Sequence, residues 1–268
     1  MKITGLNFFK DCITHGYPFI ESVLSALPFC DEYLVNDGGS SDGTLQELET
    51  LADNYCKVKL FRIPDVPNVR WDSCSIQSNT MIGYAKGDWI FLGNADEFIH
   101  EEDVKEIPRY LAETTSWRTA RFNRHEVIRN WSDISEEVYH PGRFARREWN
   151  LRMDWNAYGG DEFLYGAKWD DPERYNIMPF TLYHIYNMFP RNHMSKLRND
   201  AEYISPGDKL RVDTYNRMKG SVIPETQVKK IYPYLPVLAL GLVGLKKYIV
   251  RPELYSREFL RAETGLEY

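Results

Sequence analysis

The sequence lacks the features that mark several classes of protein. Its four cysteines include no CxxC pair, which predicts reduced core thiols rather than disulfides or a cysteine-bound metal: Cys12, Cys30, Cys56 and Cys74. Lys10 and Asp11 interrupt the N-terminal apolar segment, so we expect no secretory signal and a cytoplasmic protein. The formal net charge of -6 argues against nucleic acid as the main partner, because phosphate binding needs a basic surface.

Two further motifs are missing. No GxGxxG follows the first predicted strand, which argues against a dinucleotide-binding Rossmann domain. The apolar run Leu235–Leu245 is too short to cross a bilayer. Because lysines flank this run, two interpretations stay open: a helix buried on the catalytic domain or on a second subunit, and peripheral membrane contact through residues 229–251.

The first hundred residues alternate between strand and helix patterns. The predicted strands are Lys2–Phe8, Glu32–Asn36, Lys57–Ile63 and Trp89–Leu92, and the predicted helices are Tyr17–Leu27, Thr44–Tyr55 and Ser75–Ala85. Thr44 and Glu47 fit a capping box at the start of the second helix. This alternation predicts a layered α/β protein with a parallel sheet.

Polar side chains follow two of these strands. Asp37 comes after the second strand, and Asn94 and Asp96 come after the apolar strand Trp89–Leu92. The carboxyl ends of strands are where open α/β sheets bind ligands. In an extended segment, the Asn94-Ala95-Asp96 spacing directs two oxygen-bearing side chains to one side, within reach of one divalent cation. The alternative is an acidic turn that caps a helix from about Glu101.

Three segments resemble the GT-A fold glycosyltransferases of family 2, which are inverting and nucleotide-sugar dependent. They are VNDGGSSDGT (Val35–Thr44), QSN (Gln77–Asn79) and GDWIFLGNADEF (Gly87–Phe98). The resemblance implies that Asp37 contacts the nucleotide base and that Asn94 and Asp96 take the place of the DxD motif, which binds ribose and the metal diphosphate. It also implies that Asn79 lies at the donor site. The sequence departs from the family at Asn94, where aspartate is usual, because an amide brings no charge.

An inverting transfer needs a carboxylate that removes the proton of the acceptor hydroxyl. The resemblance places this base between the DxD motif and the end of the catalytic domain, and it implies Glu162 as the base with Asp161 as the second candidate. Two alternatives stay open here. Either acid could cap a helix at Phe163–Ala167, and Asp170–Asp171 is a competing acid pair.

His184 stands among apolar residues in the predicted strand Thr181–Tyr186. The resemblance implies that it completes a metal shell with Asp96 and Asn94, and imidazole suits manganese better than magnesium. The alternative is a hydrogen-bonded core histidine. The basic stretch His140–Arg147 is interpreted either as solvated surface charge or as a loop that neutralises diphosphate.

The resemblance therefore implies an α/β fold of GT-A type: a Rossmann-like, mostly parallel sheet flanked by helices over residues 1–200, with a helical extension at 201–268. The implied function is metal-dependent, inverting transfer of a sugar from a nucleoside diphosphate sugar to a hydroxyl acceptor, such as a glycan, with Mn²⁺ or Mg²⁺. The alternatives are a catalytically degenerate module that binds nucleotide sugar or glycan, and a nucleotidyltransferase. A homo-oligomer stays open as well.

Overall fold

The computed structural model describes residues 1–15, 17–66, 70–114, 116–127, 134–148, 150–154, 162–165, 168–169 and 175–184. The predicted extension at 201–268 and the segment 229–251 lie outside these residues, so the boundary near residue 200 stays a prediction. Within the described ranges, no helix is both long and apolar enough to span a membrane.

The first part of the main sheet is parallel, as predicted. Its strands stand in the order β3-β2-β1-β4 and are β1 (Ile3–Phe9), β2 (Glu32–Asp37), β3 (Val58–Phe61) and β4 (Trp89–Leu92). The helices between them are α1 (Cys12–His15), α2 (Phe19–Ala26), α3 (Thr44–Asn54) and α4 (Arg70–Tyr84), with a 3₁₀ turn at Leu27–Phe29. The predicted α/β class is confirmed.

The second part of the sheet is mixed. It continues from β4 in the order β8-β6-β12-β5, and β7 pairs with β6. Its elements are β5 (Glu97–Ile99), α5 (Glu101–Glu113), β6 (Thr119–Val127), β7 (Ile134–Tyr139), β8 (Gly142–Arg146) and β12 (Tyr175–His184). Only β6 and β12 are parallel here. A separate three-stranded sheet contains β9 (Leu151–Asp154), β10 (Glu162–Tyr165) and β11 (Lys168–Trp169).

The main sheet curls between β4 and β5. In a flat sheet these strands would lie four strand spacings apart, about 19 Å. Leu92 and Glu97 are five residues apart in the chain, and five extended residues span about 17 Å at most. The curl therefore places the segment after β4 beside β12, β6 and β8.

Both faces of the parallel part are buried, which explains its continuous apolar runs. Along β4, Trp89 and Phe91 pack on the face covered by α2, α3 and α5, whereas Ile90 and Leu92 pack on the face covered by α4 and β9. This burial fixes the register of β4, because a shift by one residue would exchange the two faces.

Several local predictions were wrong. Gly43, with φ +100°, caps α3 in place of a side chain, and Thr44 is the first helical residue, so no capping box forms. Helix α4 begins at Arg70, five residues before the predicted start at Ser75. Phe163 lies in strand β10, which excludes the predicted helix there. Cys56 is exposed rather than part of the core.

Candidate functional site

The turn after β2 holds Asp37 in a buried position, with 3% of its surface exposed. Its Oδ2 accepts hydrogen bonds from the backbone N–H groups of Gly39 (2.9 Å) and Ser40 (3.0 Å). Its Oδ1 is buried and has no hydrogen-bond partner among the described residues. A buried carboxylate oxygen without a donor is costly, so this atom is suited to accept a hydrogen bond from a ligand.

The loop after β1 holds this turn in place. Asp11 adopts a left-handed backbone conformation, with φ +48°. Its Oδ1 accepts from the Ser41 N–H at 2.8 Å, and its own N–H donates to Ser40 Oγ at 2.9 Å. Lys10 forms an ion pair with Asp65 at 3.1 Å. The predicted base-binding turn is therefore built from two loops, at the carboxyl ends of β1 and β2.

The segment Asn94–Asp96 forms a turn, so the prediction of an extended segment was wrong. The Asn94 amide lies between Arg143 Nη2 (2.8 Å) and the Gly93 carbonyl oxygen (3.2 Å). Its oxygen accepts a hydrogen bond from the guanidinium, and its nitrogen donates one to the Gly93 carbonyl oxygen. Ser22 Oγ on α2 donates to the Asn94 carbonyl oxygen. These contacts direct the Asn94 side chain at Arg143, and its role in binding ribose or a metal stays a prediction.

A buried ion pair lies directly behind this turn. Arg143 on β8 donates from Nε and Nη2 to the two carboxylate oxygens of Glu97, both at 2.8 Å. Both side chains are about 98% buried, so the interpretation of this arginine as surface charge was wrong. Burial acts to raise the pKa of Glu97, but the charge and hydrogen bonds of Arg143 outweigh it and lower that pKa below its ordinary value.

The structure brings Asp96 and His184 together. Strand β12 runs between β6 and β5, and His184 at its end is paired with Glu126 on one side and Glu97 on the other. The Nε2 atom of His184 lies 3.4 Å from Asp96 Oδ2, and both residues are buried. Two of the three residues predicted to bind a metal are thus neighbours, although they are 88 positions apart in the sequence.

The donor set of this pair fits a divalent cation of the manganese type. It offers one carboxylate and one imidazole, and Mn²⁺ accepts both. Across the described ranges, no three His, Cys, Asp or Glu side chains are grouped so as to hold a metal ion. The pair offers two ligands, and substrate oxygens and water are suited to join them in the coordination shell.

The other predicted residues have different surroundings. The Asn79 amide on α4 donates to the Met153 carbonyl oxygen (2.9 Å) and accepts from the Met153 N–H (2.8 Å), so it fastens β9 to α4. Its role in donor binding stays a prediction. Glu162 begins β10, where its backbone pairs with Asp154. Asp161 lies outside the described residues, and the assignment of the base is still a prediction.

Strand β1 pairs in parallel with both β2 and β4, so the carboxyl ends of β2 and β4 lie at one edge of the sheet. Asp37 and the Asn94–Asp96 turn therefore lie at the same edge, separated by the width of β1, as the sequence predicted. This is the edge at which α/β sheets bind ligands.

Sequence reasoning missed three residues of this region: Glu97 as an ion-pair partner, Arg124 and Glu126. Arg124 and Glu126 are two positions apart on β6, and such spacing places side chains on one face of a strand. That signal was present in the sequence. The contact of Glu126 with His184 could not be read from it, because the register of β6 against β12 is a long-range property.

A family model described as "Glycosyl transferase family 2" matches residues 17–160, more than half of the chain. The chain belongs to glycosyl transferase family 2. This match includes Asp37, Asn79, Asn94 and Asp96 and ends before Glu162 and His184. The family and the GT-A fold class expected from the sequence are therefore confirmed. No curated protein matches the sequence.

Several solved structures are similar to this family 2 chain. TarS of S. aureus is 14% identical with a TM-score of 0.48, over 99% of this chain and 52% of that one. The mannosyltransferase PcManGT from Pyrobaculum calidifontis, in complex with GDP-Man and Mn²⁺, is 13% identical with a TM-score of 0.47, over 100% and 76%. Glucosyl-3-phosphoglycerate synthase from Mycobacterium tuberculosis, in complex with Mg²⁺ and UDP, is 17% identical with a TM-score of 0.34, over 46% and 43%. The chain thus spans about half the length of TarS.

Proposed function

We propose that the protein is a metal-dependent, inverting glycosyltransferase that moves a sugar from a nucleoside diphosphate sugar to a hydroxyl acceptor. The observation that carries the proposal is the approach of Asp96 Oδ2 to His184 Nε2, at 3.4 Å. It occurs at the same sheet edge as Asp37, whose buried Oδ1 atom has no hydrogen-bond partner in the described part of the chain. Family membership supports the reaction class.

In this proposal the donor lies across the carboxyl ends of β2 and β4. Asp37 Oδ1 accepts a hydrogen bond from an N–H of the base, which satisfies the buried carboxylate. Asn94 contacts the ribose, while Asp96 and His184 hold the cation. A bound Mn²⁺ or Mg²⁺ supplies Lewis-acid stabilisation of the charge that builds on the leaving diphosphate.

Glu162 acts as the general base on the acceptor. Its carboxylate removes the proton of the acceptor hydroxyl as that oxygen attacks the anomeric carbon from the face opposite the diphosphate. One carbon–oxygen bond forms and the bond to the diphosphate oxygen breaks, which inverts the anomeric centre. Asp161 is the second candidate for this role.

The test is release of nucleoside diphosphate from a panel of donor sugars, with Mn²⁺ and with a chelator. We expect release by the natural chain, a loss of at least 100-fold in Asp96→Ala, and a loss of about 10²- to 10⁴-fold in Glu162→Gln, the usual worth of a general base. Asp53→Asn, at an exposed acid at the end of α3, is the matched control and retains full activity. Unchanged release in both site variants would contradict the proposal.

One observation favours a second candidate, a module that binds nucleotide sugar without turnover. The Asn94 amide is already engaged by Arg143, and it brings no charge to a cation. Binding of a donor without release, with every acceptor tried, would support the module.

Peripheral membrane contact through residues 229–251 and self-association remain proposals for this protein. Liposome co-sedimentation tests the first, and sedimentation velocity tests the second.

A further inference from the structure

Strand pairing places a carboxylate beside the predicted metal-binding histidine. Across the parallel pair β6 and β12, His184 lies opposite Glu126. Directly opposed residues of neighbouring strands project from the same face of a sheet. Glu126 is therefore held next to the imidazole by the backbone register, and no loop is needed to deliver it.

The contact identifies which nitrogen of His184 carries a hydrogen. The Nδ1 atom lies 2.7 Å from one carboxylate oxygen of Glu126 and 2.9 Å from the other. An ionised carboxylate only accepts hydrogen bonds, so Nδ1 must be the donor. In the neutral imidazole the lone pair is then on Nε2, and this is the atom that lies 3.4 Å from Asp96 Oδ2.

Two acceptors thus converge, the imidazole lone pair and the Asp96 carboxylate. A proton on Nε2 or a bound metal cation relieves the repulsion between these two lone pairs, so the position between them can receive a cation. We infer that Glu126 is a positioning residue, which fixes the tautomer and orientation of His184 so that Nε2 is directed at the cation held with Asp96. The inference rests on the proposed function, because a bound cation gives Glu126 its role. The contact between Glu126 and His184 itself does not depend on turnover of a donor.

Glu126 is itself held in place by a neighbouring arginine. Arg124, two residues earlier on β6, has Nη2 at 3.3 Å from Glu126 Oε1 and Nη1 at 3.7 Å from Glu97 Oε1. Glu97 is fixed in turn by Arg143, which also contacts the Asn94 amide. A chain of charged groups therefore joins both ends of the Asn94–Asp96 turn, and Glu126 is its link to His184.

Two measurements on the purified full chain test this role. The first is ¹⁵N NMR of the metal-free protein, with the His184 signals assigned by their loss in His184→Gln. We expect the neutral ring to carry its hydrogen on Nδ1, with Nε2 as the bare nitrogen. The second is Mn²⁺ affinity from the free-ion signal in electron paramagnetic resonance, with Mn²⁺ alone as the probe.

In the Mn²⁺ titration, Glu126→Ala should weaken affinity by about 10- to 100-fold, as removal of such outer partners commonly does. Glu126→Gln keeps an oxygen acceptor for Nδ1–H, so it should recover most of the affinity and the same tautomer. Glu49→Gln is the matched control. Glu49 lies on the distant helix α3, and its carboxylate pairs with Arg62. Its replacement should leave the Mn²⁺ affinity unchanged.

Three results would overturn the inference: a neutral His184 ring with its hydrogen on Nε2 in the natural chain, unchanged Mn²⁺ affinity in Glu126→Ala, and no Mn²⁺ binding by the natural chain. The NMR result decides the question even where Glu126→Ala does not fold. If both measurements agree with the inference while no donor sugar is turned over, the transferase proposal fails and the positioning role stands.

Discussion

Replacing Arg143 by methionine should destabilise the protein strongly at neutral pH. The guanidinium is 99% buried and donates two 2.8 Å hydrogen bonds to Glu97, whose side chain is 98% buried. Methionine fills much of the volume but leaves the carboxylate with the more distant Arg124, at 3.7 Å, as its ion-pair partner among the described residues. Removal of one partner of a buried ion pair costs about 3–5 kcal/mol, and we expect a loss of that size in the free energy of unfolding.

The sign of the pH dependence follows from the pKa of Glu97. In the natural protein this pKa is lowered, because Arg143 outweighs burial. Its contribution to stability is present at neutral pH and is lost as pH falls below the ordinary carboxyl range. In Arg143→Met, the charge that offsets the effect of burial is removed, so the pKa of Glu97 in the folded state rises. Protonation of Glu97 then relieves the buried charge. The deficit of the variant should therefore shrink as pH is lowered.

Urea unfolding followed by circular dichroism at pH 7 and pH 5 measures both effects. The double variant Arg143→Met with Glu97→Met should recover at least about 2 kcal/mol, since an apolar pair often replaces a buried ion pair without loss. Arg109→Met is the matched control, because Arg109 pairs with Glu106 on the exposed face of α5 and should cost less than about 1 kcal/mol. A loss below 1 kcal/mol in Arg143→Met, or no recovery in the double variant, would refute the reasoning.

Two further predictions concern stability. Gly93→Ala should lower the free energy of unfolding by about 1–3 kcal/mol, because a Cβ there would lie 2.2 Å from Asn7 Oδ1. The control is Gly83→Ala on α4, whose Cβ meets nothing within 4 Å and which should be neutral or slightly stabilising. Equal losses for both variants in thermal or urea unfolding would argue against the clash. Glu32→Gln should lower stability by about 1–3 kcal/mol at pH 7. Burial acts to raise the pKa of Glu32, but its bonds with Lys59, the Lys86 N–H and Thr4 outweigh burial and lower that pKa. The deficit should therefore shrink as pH falls below the ordinary carboxyl range of about 4, and a deficit that does not shrink in acid would contradict this.

Much of the fold could be predicted from local pattern. The apolar strands and amphipathic helices of the first hundred residues carry periodicity that a single sequence displays, and β4 matched its prediction from Trp89 to Leu92. The turn at Asp37 was also visible, because glycine and short polar residues cluster there. The N-cap of helix α3 was not visible, since both Thr44 and Gly43 are residue types common at helix starts. The backbone conformation of Gly43 decided between them.

The charged groups behind the site could not be predicted in the same way. Arg143 reads as surface charge in a basic stretch, and it is buried only because the curled sheet brings β8 and the end of β4 around Glu97. The meeting of Asp96 with His184 was implied by resemblance to a family rather than by any local pattern. Glu126 enters through the register of β6 on β12, which depends on the whole second part of the sheet.

The central claim is that this chain binds a nucleoside diphosphate together with a divalent cation at the edge formed by Asp37, Asp96 and His184. The most direct measurement is the shift in melting temperature with uridine, guanosine, thymidine and cytidine diphosphates, each with and without Mn²⁺. The account predicts stabilisation by at least one nucleotide that requires Mn²⁺ and disappears in Asp96→Ala, because a ligand that binds only the folded state raises its stability. The absence of a shift with every nucleotide, or an equal shift in Asp96→Ala, would contradict it.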